Sequence, residues 1–145
     1  MNPTKVQIRE FLFPADYERV HHLWASIKKG VRVGRSDSLR EIEKKIQRDP
    51  DLFLVAEHQH QIVGTIIGGF DGRRGIIYHL AVAGELRGQG IGSLLLNSVE
   101  ERLRLKGCLK SYLMVTPDNE EAMHYYEQRG WHHMDYVRLY GKDLQ

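Results

Sequence analysis

A glycine-rich turn between an apolar strand and an apolar helix constrains this chain of 145 residues more than any other feature. The turn reads Arg87-Gly88-Gln89-Gly90-Ile91-Gly92 and follows the apolar run at residues 76–82. Glycine lets the backbone approach a ligand closely, and the start of a helix offers unpaired N–H groups and a positive dipole end. The turn therefore predicts an anion site, with a phosphate or pyrophosphate as its natural ligand and Arg87 as an added charge.

Two common nucleotide-binding patterns are absent from the sequence. The pattern GxxxxGK[ST] does not occur, and GxGxxG fails because Ser93 stands where its third glycine belongs. No acidic residue ends a following strand about 20 residues further on, where a ribose contact needs one. ATP and NAD are therefore disfavoured as ligands. Taken alone, the turn is also compatible with a tight connection that needs only the backbone angles of glycine.

Composition excludes several classes of protein. The net charge of +2 gives no strong field for nucleic acid or for a membrane surface. Cys108 is the only cysteine, which excludes an internal disulfide and a CxxC metal site, and no HExxH pattern occurs, so we expect no metal. The sequence has neither a signal-peptide core nor a run of about 20 apolar residues, which predicts a cytoplasmic protein. We expect a single domain over residues 1–145.

Apolar periodicity and turn residues predict the element order β-α-α-β-β-β-α-β-α-β. The middle strands form an antiparallel meander, and a long helix over residues 90–106 leads to a parallel strand. This helix is predicted to bury Ile91, Leu94, Leu95, Val99 and Leu103. Capping boxes are predicted at Ser38–Glu41 and Asp118–Glu121, and one or two closing strands in residues 131–144. The predicted fold is α/β (α+β), with a mixed, mostly antiparallel sheet of six to seven strands and about four helices.

Two separated motifs resemble the signature of the GNAT superfamily of N-acetyltransferases. The first is Arg87-x-x-Gly90-x-Gly92, preceded by Leu80-Ala81-Val82 and followed by an apolar helix. The second runs from Asn119 to Trp131 and is similar to the family segment Asn-x-x-Ala…Tyr-Glu…Gly-Phe, with Trp131 in place of the phenylalanine. The resemblance covers nearly the whole chain in element order. Residues 52–92 also resemble small bacterial members whose acceptors are generally not known.

The resemblance implies acetyl-CoA as the cosubstrate. In the family, the pyrophosphate lies on the amides of the glycine turn, which correspond here to Arg87, Gly88, Gln89, Gly90, Ile91, Gly92 and Ser93. The pantetheine arm pairs with the exposed edge of the preceding strand, which corresponds to Leu80, Ala81 and Val82. The resemblance further implies that Asn119 contacts the pantetheine arm and that Tyr126 lies near the sulfur.

The implied mechanism is direct transfer in a ternary complex. A neutral amine attacks the thioester, a backbone N–H such as that of Val82 stabilises the oxyanion, and Tyr126 protonates the departing thiolate as a general acid. The strand at residues 76–80 has no carboxylate to act as the base. Tyr78 shares a face with Val82 by two-residue alternation, whereas His79 is predicted to point the other way. Tyr78 is therefore the preferred candidate, with His79 and a water chain as open alternatives.

Two classes of function remain open at this point. The first is an enzyme that acetylates a primary amine, either of a small molecule or of a peptide. The second is a non-catalytic acyl-CoA-binding or sensing module on the same fold. The presence of both Asn119 and Tyr126 favours the enzyme, because a sensor needs the phosphate turn more than the acid. A homodimer is a further expectation, since many members of the family pair through their C-terminal strands.

Overall fold

A computed structural model describes residues 5–145, which divide into two compact units, residues 5–114 and residues 115–145. The helices and strands of the first unit are β1 (Gln7–Glu10), α1 (Tyr17–Ser26), α2 (Leu39–Arg48), β2 (Phe53–His58), β3 (Gln61–Phe70), β4 (Gly75–Val82), α3 (Ile91–Leu105) and β5 (Ser111–Leu113). The second unit contains α4 (Glu120–Glu127). Within residues 5–145, no helix combines the length and the apolar character that crossing a bilayer requires.

The first unit is built on a single mixed sheet in the order β1-β2-β3-β4-β5. Neighbouring strands from β1 to β4 are antiparallel, whereas β5 is parallel to β4 and follows it through α3. The predicted class, the antiparallel meander and the four α-helices are confirmed. The core lies against this sheet, with Phe53, Leu54, Val55 and Ile66 fully buried.

The predicted number of strands is too high, since the described residues form five strands and not six to seven. Residues 131–145 contain turns and irregular backbone but no strand. Alternating apolar residues in this tail favour a strand, but a strand also needs a partner backbone to receive its hydrogen bonds. Tyr136 and Tyr140 are 76% and 88% exposed, so the apolar residues in the second half of the tail are not packed against a partner.

The buried face of α3 differs from the predicted face at one position. Ile91, Leu95, Val99 and Leu103 are buried as expected, but Leu94 is 40% exposed and Leu96 is fully buried. At 100° per residue, Leu96 lies on the same side of the helix as Leu103, while Leu94 lies on the far flank of Ile91. The buried face of α3 is therefore rotated away from Leu94 and toward Leu96.

The predicted helix starts are confirmed in one case and corrected in the other. The side chain of Ser38 accepts a hydrogen bond from the backbone N–H of Glu41 at 3.3 Å and caps α2. The cap of α4 is Asn119 and not Asp118, because Asn119 Oδ1 accepts from the N–H of Ala122 at 3.1 Å. Asparagine and aspartate are nearly equal as caps, so their propensities could not decide between the two neighbours.

Two glycines of β3 allow α3 to approach the sheet closely. A Cβ on Gly64 would lie 2.9 Å from Leu95 Cδ1, and a Cβ on Gly68 would lie 2.7 Å from Val99 Cγ2. Carbon atoms at optimal contact are about 3.5–4.0 Å apart, so a side chain at either position would push the helix away. The absence of side chains at Gly64 and Gly68 therefore sets the distance between α3 and the sheet.

A buried carboxylate fixes the chain segment between β1 and α1. Asp16 is fully buried and accepts hydrogen bonds from Arg9 at 2.7 and 3.1 Å, from Arg19 at 2.7 Å and from the backbone N–H of Leu12 at 2.8 Å. Burial opposes its ionisation, but the hydrogen bonds from Arg9 and Leu12 outweigh burial and lower the pKa of the Asp16 carboxyl below its ordinary value.

We expect Asp16→Asn to lower the free energy of unfolding at pH 7 by about 3 kcal/mol, because it leaves Arg9 facing a neutral group. A lowered pKa means that the carboxylate stabilises the fold above its unfolded pKa of about 4, and that this stabilisation is lost as the pH falls through the folded pKa. Urea titrations should therefore separate the two proteins at pH 7, and the difference should shrink as the pH falls through the lowered folded pKa of Asp16. Asp51→Asn is the control, since its pair with Lys106 is more exposed and should be worth less than about 1 kcal/mol. Equal losses in the two variants would contradict the prediction.

Candidate functional site

The predicted anion turn lies at the start of α3, with open space around its backbone. Gly88 and Gly90 have φ angles of +79° and +87°, in the left-handed region that favours glycine. A Cβ on either residue would meet nothing within 4 Å, so the backbone angle and not packing requires glycine. Gly90 is the N-cap of α3 and offers no side chain to its first turn. An anion can therefore cap these amides.

Gln89 supplies an additional hydrogen-bond acceptor in the turn. Its Oε1 atom is buried and has no hydrogen-bond partner among residues 5–145. A buried acceptor without a donor costs about 1–3 kcal/mol. A ligand that carries both phosphate groups and hydrogen-bond donors would satisfy the turn and this acceptor together.

The last residues of β4 extend beyond its ladder with β5. The pairs Gly75↔Ser111, Ile76↔Tyr112 and Ile77↔Leu113 join these strands, and the ladder stops there. On its other side, β4 continues to pair with β3 as far as Val82. Within residues 5–114, the β5-side edge of residues 80–82 therefore has no ladder partner, so an extended amide-containing ligand can pair with it.

A β-bulge interrupts β4 immediately before this edge. The ladder with β3 shifts register between Thr65↔Ala81 and Ile67↔Tyr78, so two residues of β4 stand opposite one residue of β3. His79 lies in the bulge with a φ of +53°. For a residue other than glycine this is an uncommon and strained conformation.

The bulge places the side chains of Tyr78 and His79 on the same face of the sheet. A Cβ built on Gly69 would lie 3.3 Å from the Tyr78 hydroxyl and 3.5 Å from Lys45 Nζ of α2, while the His79 ring packs edge-on against Trp24 of α1 at 4.7 Å.

The predictions that His79 points away from Tyr78 and that Tyr78 shares a face with Val82 are therefore wrong. Tyr78 pairs with Ile67 and Val82 pairs with Gly64, and these two partners lie on opposite faces of β3. The predictions fail because simple alternation does not hold where a strand contains an extra residue.

Asp37 connects the loop before α2 to α1 and β4. Its carboxylate is almost fully buried, at 5% exposure, and Oδ1 accepts a hydrogen bond from His79 Nε2 at 2.9 Å. Oδ2 accepts from the N–H of Gly34 at 3.0 Å. The carbonyl oxygen of Asp37 accepts from the Tyr17 hydroxyl at 2.9 Å and from His21 Nε2 at 2.8 Å. Sequence analysis missed Asp37, since its partner His79 is 42 positions away and no local pattern marks the pair.

The backbone of His79 is held by a second chain of hydrogen bonds. Trp24 Nε1 donates to Thr65 Oγ1 at 2.9 Å, and the Thr65 hydroxyl donates to the carbonyl oxygen of His79 at 2.9 Å. Trp24 and Thr65 are both fully buried. Trp24 therefore restrains both parts of His79, since it packs against the ring directly and holds the carbonyl group through Thr65.

Tyr78, the predicted base, is 37% exposed on β4. Burial of its hydroxyl, together with the negative charge of Asp49, raises the pKa of Tyr78. A phenol with a raised pKa stays protonated at neutral pH. Tyr78 is therefore better suited to donate a hydrogen bond than to accept a proton.

The second unit contains the other two predicted site residues, Asn119 and Tyr126. Asn119 is buried and uses its Oδ1 atom to cap α4. The ring of Tyr126 contacts Tyr125 edge-on at 5.3 Å and Trp131 at 6.2 Å. Burial raises the pKa of Tyr126 to about 12, which keeps the phenol protonated throughout the physiological range.

The fold and the turn define a class of protein, and comparison with known proteins identifies it. The sequence model described as "Acetyltransferase (GNAT) family" matches residues 17–131, which is more than half of the chain. The chain therefore belongs to the GNAT family of acetyltransferases and is an enzyme of that family. The resemblance stated from the two motifs is confirmed. Within residues 5–145, no group of three His, Cys, Asp or Glu side chains could hold a metal ion.

Individual relatives agree with this assignment. Acetyltransferase SG1711 of Sodalis glossinidius (strain morsitans) is 41% identical over 136 residues, which cover 89% of each chain. The crystal structure of a Trypanosoma brucei acetyltransferase has 26% identity and a TM-score of 0.71, and the match covers 96% of this chain and 99% of that one. Arabidopsis thaliana Naa50 in complex with the bisubstrate analogue CoA-Ac-MVNAL shares the fold, with a TM-score of 0.70, 23% identity and coverage of 87% and 82%.

Proposed function

We propose that this enzyme transfers an acetyl group from acetyl-CoA to a primary amine by direct attack in a ternary complex. The observation that carries the proposal is the order of two features along residues 80–93. The unpaired strand edge of β4 is followed, after the single 3-10 turn Gly84–Leu86, by a glycine turn whose helix amides are open to an anion. Acetyl-CoA carries an amide-rich arm and a pyrophosphate in the same order.

The residues of the turn and the strand edge fit acetyl-CoA. We assign the pyrophosphate to the amides of the turn and the pantetheine arm to the edge of β4, with the residues Leu80, Ala81, Val82, Arg87, Gly88, Gln89, Gly90, Ile91, Gly92 and Ser93. The buried Oε1 atom of Gln89 fits a ligand with hydrogen-bond donors. We assign Asn119 to the pantetheine arm as well, on the basis of the family motif.

The residues of this chain would then act as follows on the thioester that acetyl-CoA supplies. The backbone N–H of Val82 stabilises the oxyanion that forms when the amine attacks. Tyr126 donates its proton to the departing thiolate, and its raised pKa ensures that the proton is present. We place Tyr78 beside the acceptor as a hydrogen-bond donor.

A relative with the same fold suggests one class of acceptor. The bisubstrate analogue bound to Naa50 of Arabidopsis thaliana joins CoA through an acetyl group to a peptide sequence, MVNAL. A peptide amine is therefore one class to test, and small-molecule amines are the other.

An amine screen tests the proposed function. Acetyl-CoA is incubated with the enzyme and with spermidine, kanamycin, L-lysine or a short peptide with a free N-terminus, while free thiol and the acetylated product are measured. We expect thiol release that depends on the amine. Cys108→Ser is the control, because Cys108 is the only protein thiol that could react with the thiol reagent. Tight binding of acetyl-CoA without release for any amine would instead support a non-catalytic acyl-CoA sensor.

A further inference from the structure

We propose that His79 accepts the proton of the acceptor ammonium group, and that Asp37 is the positioning residue that fixes its tautomer. This inference rests on the proposed function and assigns the base that the sequence left open. The step breaks an N–H bond of the ammonium and forms an N–H bond at His79 Nδ1. The amine keeps the electron pair that attacks the thioester. As the tetrahedral intermediate collapses, the C–S bond breaks and the nitrogen loses its second proton, which restores the phenol of Tyr126, and solvent takes the proton from His79 after turnover.

The Asp37 carboxylate determines which nitrogen of the His79 ring carries the proton. An ionised carboxylate only accepts hydrogen bonds, so Nε2 of His79 must carry the proton that it donates to Asp37 Oδ1 at 2.9 Å. The neutral ring then has its lone pair on Nδ1, which becomes the proton-accepting atom. When Nδ1 gains a proton, the Asp37 carboxylate stabilises the positive ring through the hydrogen bond that already exists.

The backbone of His79 indicates that its position serves a function. A residue other than glycine at a φ of +53° persists only where its surroundings determine it, and such residues cluster at active sites. The bulge moves His79 to the α1 and α2 face, where Asp37 and Trp24 hold the ring and Thr65 holds the carbonyl group. It also places His79 immediately before the open strand edge at residues 80–82.

The side chain retains access to solvent, with 15% of its surface exposed. The titratable groups that face it come from three elements. Tyr17 and His21 of α1 reach the carbonyl group of Asp37, Asp37 itself reaches the ring, and Tyr78 of β4 lies 6.4 Å away between ring centres. Of these groups, only the Asp37 carboxylate bonds directly to the ring, so it determines the tautomer.

His79→Gln is the decisive variant. The glutamine amide can still donate to Asp37, but it cannot accept a proton at neutral pH. We expect kcat/KM to fall about 100-fold at pH 7, within the range that general bases contribute. The loss should shrink as the pH rises, because more of the amine is then already deprotonated in solution. The assay uses the amine with the highest wild-type rate in the screen. The same loss at every pH, or no loss, would overturn the inference.

His21→Gln is the matched control, since His21 also bonds to Asp37 but does so through its backbone carbonyl group. Glutamine can keep that bond, so we expect the wild-type pH profile. If His79→Gln does not fold, His79→Asn replaces it, because asparagine tolerates a positive φ and also lacks a basic nitrogen.

The tautomer can be measured without turnover. In ¹H–¹⁵N spectra of the histidine rings, with His79 assigned by its loss in the variant, we expect Nε2 to carry the proton and Nδ1 to lack one. Asp37→Asn should disturb this preference, because its amide can present a donor to the ring. A wild-type His79 protonated on Nδ1 would overturn the inference whatever the activity. A wild-type enzyme that acetylates no amine would instead refute the proposed function.

Discussion

Tyr126→Phe should lower kcat for acetyl transfer by about 100-fold and leave the Kd for acetyl-CoA nearly unchanged, because it removes only the proton donor. The ring of Tyr126 contacts Tyr125 and Trp131, and phenylalanine keeps both contacts. A drop in kcat without a change in binding would separate a chemical role of the hydroxyl from a packing role of the ring. Steady-state kinetics and calorimetric titration with acetyl-CoA measure the two quantities.

Tyr125→Phe is the matched control on the same helix. The Tyr125 ring stacks with the guanidinium of Arg129, whose carbon lies 3.6 Å from the ring centre, and phenylalanine preserves that contact. We expect no change in kcat. Equal losses in the two variants would argue against Tyr126 as the acid.

The raised pKa of Tyr126 also predicts how the stability of the folded protein depends on pH. Because the folded protein binds this proton more tightly than the unfolded chain does, its stabilising contribution is complete below about pH 10. It is lost as the pH rises through the folded pKa of about 12. Wild-type unfolding should therefore become easier over this interval, and Tyr126→Phe should lack that part of the decline.

Gly90→Val should raise the Kd for acetyl-CoA by about 10- to 100-fold, which corresponds to one lost hydrogen bond to a charged group. Valine at a φ of +87° is strained, and its side chain would enter the open space above the first turn of α3. Relaxing that strain would turn the amides away from the pyrophosphate.

Gly107→Val is the control at the opposite end of α3. Gly107 has the same φ of +87° and likewise has nothing within 4 Å of a built Cβ. Both variants should therefore lose similar stability in thermal unfolding, while only Gly90→Val weakens acetyl-CoA binding. A Kd that is unchanged in Gly90→Val would refute the phosphate site.

The parts of the fold that depend on local patterns could be predicted from the sequence. The meander, α3 and the Ser38 cap follow from apolar periodicity and from one side chain bonding to its own helix. The glycine turn could also be predicted, because the positive φ angles at Gly88 and Gly90 favour glycine independently of the residues that pack around them.

The parts that depend on long-range pairing could not be predicted. The bulge at His79 exists only as a mismatch between two strands, and neither strand alone shows it. The pairing of Asp37 with His79 joins a loop to a strand through the packing of α1, which no spacing in the sequence encodes. The missing closing strands have the same cause, because apolar alternation in residues 131–144 does not supply a partner backbone.

Because α3 packs closely on β3, the packing of the core determines where the first turn of α3 lies relative to a bound ligand. The first turn of α3 supplies the proposed phosphate amides, while Gly64 and Gly68 fix how closely the body of the helix lies on the sheet. A methyl group added at either glycine would displace α3 outward from the sheet, and this displacement would shift those amides relative to β4. Mutations selected for weak acetyl-CoA binding should therefore include core positions that never touch the ligand, and the affinity of the site is in part a property of the packing beneath it.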